Sequence, residues 1–326
     1  MRTAVESLES RVERLEIQKA SDPASDPLPI HCQLSTLDGE LLLPVLASNE
    51  LNMTDIVQAE ETHGAAIRRS PDTFQFIRFQ VDGCVARLTL NHPEHNLLNE
   101  AMLRELADGV GSVSETAAVK VIVLDAMGKV FCGGVDIGEY TADRAFSMLD
   151  AFHAACIAMI EAVKPVIVVV DGPAIGGGAE LVAYGDLVIA TPRARFALPE
   201  ITIGMFPPLA STMFPHIIGP KRALELILTG EAITAERARD LGLVNRLVPE
   251  AQLQTAVNEL IAKISAQSGA VLGMAKKAVL VGMGMSLRDA LRNSMSIFLN
   301  ELYRTEDSQE GLRALLEKRK PQWKNR

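Results

Sequence analysis

The sequence predicts an α/β fold over most of its length, on three observations. From residue 74 onward, apolar strand-like runs alternate with stretches of helical periodicity. One such run, over 165–170, passes into three consecutive glycines and then into helix-compatible sequence. The C-terminal third then turns helical, with the apolar side chains of its longest stretch falling on one stripe.

The chain has 326 residues, 48% of them hydrophobic and 22% charged, enough to bury a large core and too apolar for a disordered polymer. Lys and Arg total 32 against 41 Asp and Glu, a formal net charge of −9, and no basic run forms a nucleic-acid arm. Cys32, Cys84, Cys132 and Cys156 stand far apart without CxxC spacing, so they read as reduced thiols of a cytoplasmic protein. The six histidines form no HExxH pattern, so no metal is expected. No basic segment leads into an apolar core at the N-terminus, so no secretory signal is expected either.

Taken in order, residues 1–28 are expected to be a helix and linker. Val5, Leu8, Val12 and Leu15 are spaced three, four and three apart, which fits a two-heptad coiled coil or an amphipathic helix. Ser21-Asp22-Pro23 through Pro27 then breaks the pattern. Residues 29–73 hold no single period and form an extension of unknown fold. A core is expected over 74–265. It opens with a hairpin, 74–81 and 84–90, closed by an Asp82-Gly83 turn. A helix follows over 99–110, a strand over 119–125, a helix over 144–163 and a strand over 165–170. Residues 201–220 contain no Asp, Glu, Lys or Arg, but Pro207, Pro208, Pro215 and Pro220 argue for a buried loop and short helix instead of a membrane span. In the helical region 266–326, Ser286-Leu287-Arg288-Asp289 starts a helix as a capping box does. Leu287, Leu291, Met295, Phe298 and Leu302 form its stripe, expected to pack in the core or against another subunit.

Chemistry concentrates in Asp171-Gly172-Pro173-Ala174-Ile175-Gly176-Gly177-Gly178-Ala179-Glu180. Glycines let a ligand approach the backbone N–H groups, and the first N–H groups of a helix have no internal partner. The segment is therefore either a tight packing turn or a site for a phosphate or an oxyanion. It lacks the Lys-Ser/Thr ending of a P-loop and the spacing of GxGxxG. Glu180 in the first helical turn is ordinarily good electrostatics. Glu200 lies among apolar residues, where a charge is costly unless paired or functional. Beside an oxyanion site, two carboxylates supply a general base and a general acid. Phe131-Cys132-Gly133-Gly134-Val135-Asp136 reads as a glycine turn, or as the source of a second N–H donor.

These segments occur in the order found in the crotonase (enoyl-CoA hydratase/isomerase) superfamily, which the chain resembles over residues 74–323. The resemblance continues through Gly219-Pro220-Lys221-Arg222-Ala223, Leu228-Thr229-Gly230-Glu231, Leu241-Gly242-Leu243-Val244-Asn245 and the tail from Glu306-Asp307 to Pro321. It implies a spiral of ββα units with a C-terminal helical oligomerisation region that builds trimers, often paired into hexamers. It also implies an acyl-CoA substrate with no separate cofactor, coenzyme A being part of the substrate. By motif, the N–H groups of Val135 and Gly177 match the oxyanion hole, with Gly134, Asp136, Phe206, Pro207 and Lys318 as substrate contacts. Glu180 would orient or deprotonate a water, and Glu200 would exchange the proton at the α-carbon. Both carboxylates together favour hydration over isomerisation or thioester hydrolysis. Gly134 to Thr141 and Phe206-Pro207-Pro208 are closest in wording to cyclohexa-1,5-diene-1-carbonyl-CoA hydratases, and a stiff Pro-Pro loop would shape the pocket for a ring. The chain departs from the family at His92-Pro93-Glu94 and Gly138, where basic residues often hold the coenzyme A phosphates. Some relatives bind RNA through a Lys-rich helix, which is absent here.

Overall fold

The computed structural model describes residues 69–114, 116–141 and 143–326. The expected N-terminal helix, the linker, Cys32 and almost all of the 29–73 extension lie outside the described residues. The described residues belong to one compact unit.

Its frame is a six-stranded sheet in the order β1-β2-β3-β4-β6-β9, formed by Ile77–Asp82, Val85–Leu90, Val121–Ala126, Val166–Val170, Leu187–Ala190 and Arg246–Leu247. β1 and β2 are antiparallel, and every later neighbour is parallel. A smaller sheet joins β5 (Pro173–Ile175), β7 (Arg195–Ala197) and β8 (Ile233–Thr234). Chain order alternates these strands with α1 (Glu100–Ser114), α2 (Ala145–Glu161), α3 (Gly177–Ala183), α4 (Pro208–Ile218), α5 (Pro220–Thr229) and α6 (Ala235–Leu241). Four C-terminal helices follow: α7 (Leu253–Ser265), α8 (Gly269–Met283), α9 (Leu287–Ser296) and α10 (Glu306–Leu316). This is the crotonase-like α/β architecture that the motifs imply.

The central strands are apolar without alternation because both of their faces are covered. Ile122, Leu124, Val166, Val168 and Val170 face the main core with Met102, Leu106 and Val110 of α1 and Phe152 of α2. Val121, Val123, Ile167 and Val169 point the other way, onto Val257 and Leu260 of α7. β2 alternates, with Ala86, Leu88 and Leu90 inward. Buried Glu105 accepts the N–H groups of Gln75, Phe76 and Ile77 at 2.8–3.0 Å, which fastens the approach to β1 onto α1.

Two expectations need correction, and one open alternative narrows. The hairpin turns at Gly83-Cys84, one residue later than expected, because Asp82 still pairs with Val85; Gly83 takes the required positive φ of 55°. Residues 201–206 are exposed, not buried, and run from a 3-10 turn (Pro199–Ile203) into the eleven-residue α4. Pro208 starts that helix because the first helical position has no N–H to lose. Of the two readings open for the apolar stripe, packing in this chain's core fails along α9, where Leu287 is 79% and Met295 62% exposed, and Phe298 and Leu302 lie beyond that helix. Ser286 does cap the helix, accepting the Asp289 N–H at 3.2 Å.

Candidate active site

Four extended segments run side by side and bring distant residues to one place. Leu98 pairs in parallel with Val135, Cys132 with Ala174, and Ile175 of β5 with Ala197 of β7. The Gly176 N–H donates to the Ala197 carbonyl at 2.8 Å, so the triglycine starts beside the residues that lead to Glu200. In the Leu98 bridge, Gly134 supplies the carbonyl and Asp136 the N–H, at 2.8 and 2.9 Å. The Val135 N–H is therefore outside that ladder. Gly177 is the first residue of α3, so its N–H lacks an intrahelical partner.

The glycines do separate work, and the packing reading of the motif holds at Gly178. Gly176 sits at φ 51°, and a Cβ there would lie 2.6 Å from Glu200 Oε1. Gly178 is a packing position, where a Cβ would meet the Cys132 carbonyl oxygen at 2.6 Å. At Gly134, φ is 109°.

Glu180 and Glu200 line one cavity of about 230 Å³ with Gly134, Val135, Gly177 and Tyr140. Glu180 is only 3% exposed, and its Oε1 accepts the N–H groups of Leu209 and Ala210, at 2.9 and 2.8 Å, from the first turn of α4. Burial nevertheless pushes its carboxyl up to about 7, with the neighbouring charge of Glu200 adding to the effect, while the two N–H groups pull it down. Glu200 is half-buried, and its Oε2 has no hydrogen-bond partner within the protein. Burial raises this carboxyl as well. The hydrogen bonds to Glu180 favour its ionised form, whereas Glu200 carries a buried oxygen that no protein group satisfies.

Of the residues expected at the site, Gly134, Val135, Gly177, Glu180, Glu200 and Phe206 line the cavity. Asp136, Pro207 and Lys318 are not among the lining residues. Asp136 accepts the Gly138 N–H at 2.9 Å and so caps the 3-10 turn Ile137–Glu139. Pro207 is buried as the N-cap of α4, and it is Pro208 that reaches the cavity. Lys318 is exposed just beyond α10. Tyr140 was not singled out from sequence. Burial and then the charges of Glu180 and Glu200 raise its phenol, placing it within electrostatic reach of both. Its only sequence signal was membership in the Gly134–Thr141 wording. A larger hollow of about 620 Å³ lies between α10 and the returning tail, among charges such as the Arg319–Glu310 pair, remote in sequence from these carboxylates. Among the described residues, no cluster of three or more His, Cys, Asp or Glu could hold a metal.

The sequence profile described as enoyl-CoA hydratase/isomerase matches residues 80–326. A cyclohexa-1,5-dienecarbonyl-CoA hydratase of Thauera aromatica is 33% identical over 247 residues, covering 75% of this chain and 95% of the relative. A probable enoyl-CoA hydratase of Mycobacterium tuberculosis is 35% identical over 260 residues, 78% of this chain and 100% of its own. The crystal structure of an enoyl-CoA hydratase from Mycobacterium smegmatis superposes with a TM-score of 0.73 at 32% identity, covering 76% of this chain and 99% of that one.

Proposed function

Because the chain belongs to the enoyl-CoA hydratase/isomerase family, we propose that it adds water reversibly across the double bond of an α,β-unsaturated acyl-CoA. The observation that carries this reading is a single cavity holding two carboxylates, one with an unpartnered oxygen, beside two backbone N–H groups that the adjoining structure leaves unclaimed. An isomerase or thioesterase built on the same oxyanion hole has less use for the second carboxylate.

In this mechanism the thioester oxygen accepts the N–H groups of Val135 and Gly177. A water held between the carboxylates attacks the β-carbon as Glu180 takes its proton. The double-bond electrons move to the thioester oxygen, and the resulting enolate is stabilised by the two donors, each worth about a hundredfold to a thousandfold in rate. Glu200 then delivers its proton to the α-carbon. Transfer of the proton from Glu180 to Glu200 through solvent resets the pair. The charge falls on backbone donors, so the step calls for no metal or redox cofactor.

The finer reading is a cyclic dienoyl substrate. It is supported by the name of the Thauera relative and by Phe206 and Pro208 in the lining. For the coenzyme A phosphates, Lys318 remains the proposed partner. A homotrimer or homohexamer is proposed as well, since the apolar stripe of α9 is exposed on the single chain. A cytoplasmic location fits the expected reduced cysteines, and among the described residues no helix is long and apolar enough to cross a membrane. Product analysis with crotonyl-CoA and cyclohexa-1,5-diene-1-carbonyl-CoA tests the substrate. Hydration of the diene alone supports the cyclic reading, preference for crotonyl-CoA makes this a general enoyl-CoA hydratase, and isomer or free acid as the main product overturns hydration.

A further inference from the structure

Glu180 of α3 and Tyr184, the residue that caps its C-terminal end with helical backbone angles, stand four residues apart, about one turn, and so share a face. Both reach the start of α4. The Ala210 N–H donates to Glu180 Oε1 at 2.8 Å, and the Tyr184 hydroxyl donates to the Leu209 carbonyl at 3.1 Å. The Leu209 carbonyl and the Ala210 N–H belong to the same peptide group. That peptide is therefore held at both poles by side chains of one helix turn. The Leu209 N–H adds a second bond to Glu180, at 2.9 Å.

We propose that Tyr184 is a positioning residue for Glu180, acting through the peptide between Leu209 and Ala210. Its role in turnover rests on the hydratase reading; the coupling itself does not. A buried tyrosine hydroxyl needs some acceptor, and Tyr184 is only 7% exposed. What exceeds simple satisfaction is the choice of acceptor. A donor on the carbonyl oxygen polarises the amide and strengthens its N–H as a donor, by roughly 10–30% per bond. The strengthened N–H points at the carboxylate that must stay ionised to take a proton from water. The same bond fixes the first turn of α4, and with it the direction of both N–H groups. A carbonyl oxygen has two lone pairs, so the hydroxyl and the helix bond are compatible there.

The titratable groups facing Glu180 come from four elements. Glu200 faces it from the 3-10 turn after β7, Tyr140 from the turn before α2, Cys156 from α2 and Tyr184 from its own helix. Burial first, and then the Glu180 charge, keeps the Cys156 thiol neutral. Apart from Tyr184 itself, none of these groups changes identity when its hydroxyl is removed.

The test is an infrared pH titration of the Glu180 carboxyl band, assigned by its disappearance in Glu180→Gln. It compares the full-length protein with Tyr184→Phe and with site-specific replacement of Tyr184 by 3-fluorotyrosine. Losing the hydroxyl should move the midpoint upward by about half a pH unit, and the more acidic fluorophenol should move it downward. The acid limb of kcat/KM for hydration should follow the same shifts, with KM little changed. A purely structural role would lower activity at every pH without moving the midpoint. Identical midpoints in all three proteins overturn the proposal. Opposite shifts in a protein that hydrates no thioester would sustain the coupling and overturn the hydratase reading instead.

Discussion

Replacing Glu180 with Gln should make the folded protein more stable above neutral pH while abolishing turnover. The carboxyl ordinarily ionises near 4.5, and burial in the folded chain raises it to about 7. Between those values the native state keeps a proton that the unfolded chain has lost. Stability then falls as pH rises, because the native state binds more protons than the unfolded one. Each pH unit of that interval is worth about 1.4 kcal/mol, so the wild-type carboxyl costs about 3 kcal/mol of stability once pH exceeds 7. A glutamine does not titrate, and its carbonyl oxygen can still accept the Leu209 and Ala210 N–H groups. Urea unfolding of wild type and Glu180→Gln from pH 4.5 to 8.5 measures the difference. The variant's advantage should grow by about 3 kcal/mol across that range and level off above pH 7. A difference independent of pH would refute the claim that a carboxylate is held there against its solvation. A variant that became relatively less stable at high pH would show that the N–H groups outweigh burial.

Other consequences follow from the same geometry. Gly176→Ala puts a methyl group 2.6 Å from Glu200 Oε1 at a positive φ, so kcat/KM should fall about a hundredfold, with the loss in kcat. Gly178→Ala pushes instead against Cys132, and it should appear mainly as about 1–3 kcal/mol of lost stability in thermal or urea unfolding. Buried Asp307 accepts from the Ser268 hydroxyl and from the Lys324 and Asn325 N–H groups, at 2.5, 2.6 and 2.9 Å. Asp307→Ala should cost about 3 kcal/mol and expose the C-terminal tail to limited proteolysis, because three donors lose their acceptor.

The sheet was legible because strands buried on both faces, such as β3 and β4, leave continuous apolar runs, and β2 leaves an alternation. Local turn chemistry was less legible. The hairpin register depends on which residue takes positive φ, and an Asp-Gly pair adjoining a cysteine allowed two readings. The prolines of 201–220 predict a loop and a short helix, which α4 supplies with Pro208 at its first position, but they carry no information about burial, and 201–206 are exposed. At the site, residue types announced themselves: glycines after a strand, and a glutamate among apolar neighbours. What sequence could not supply was the partner of each. Glu180 is held by N–H groups 29 and 30 residues away, and Tyr184 by a carbonyl 25 residues away. No periodicity encodes those pairings, since they arise from packing α3 against α4. The same limit applied to α9, where an apolar stripe signals burial without saying against what.

The central claim is that Glu180 and Glu200 act together on one water beside a thioester. Hydration rates for wild type, Glu180→Gln, Glu200→Gln and the double variant, on whichever enoyl-CoA the product analysis selects, test it most directly. Each single variant should lose at least about a thousandfold, and the double should be little worse than the poorer single, because groups acting as a unit are strongly non-additive. Single losses of only a few fold, or losses that multiply in the double variant, would contradict a shared water.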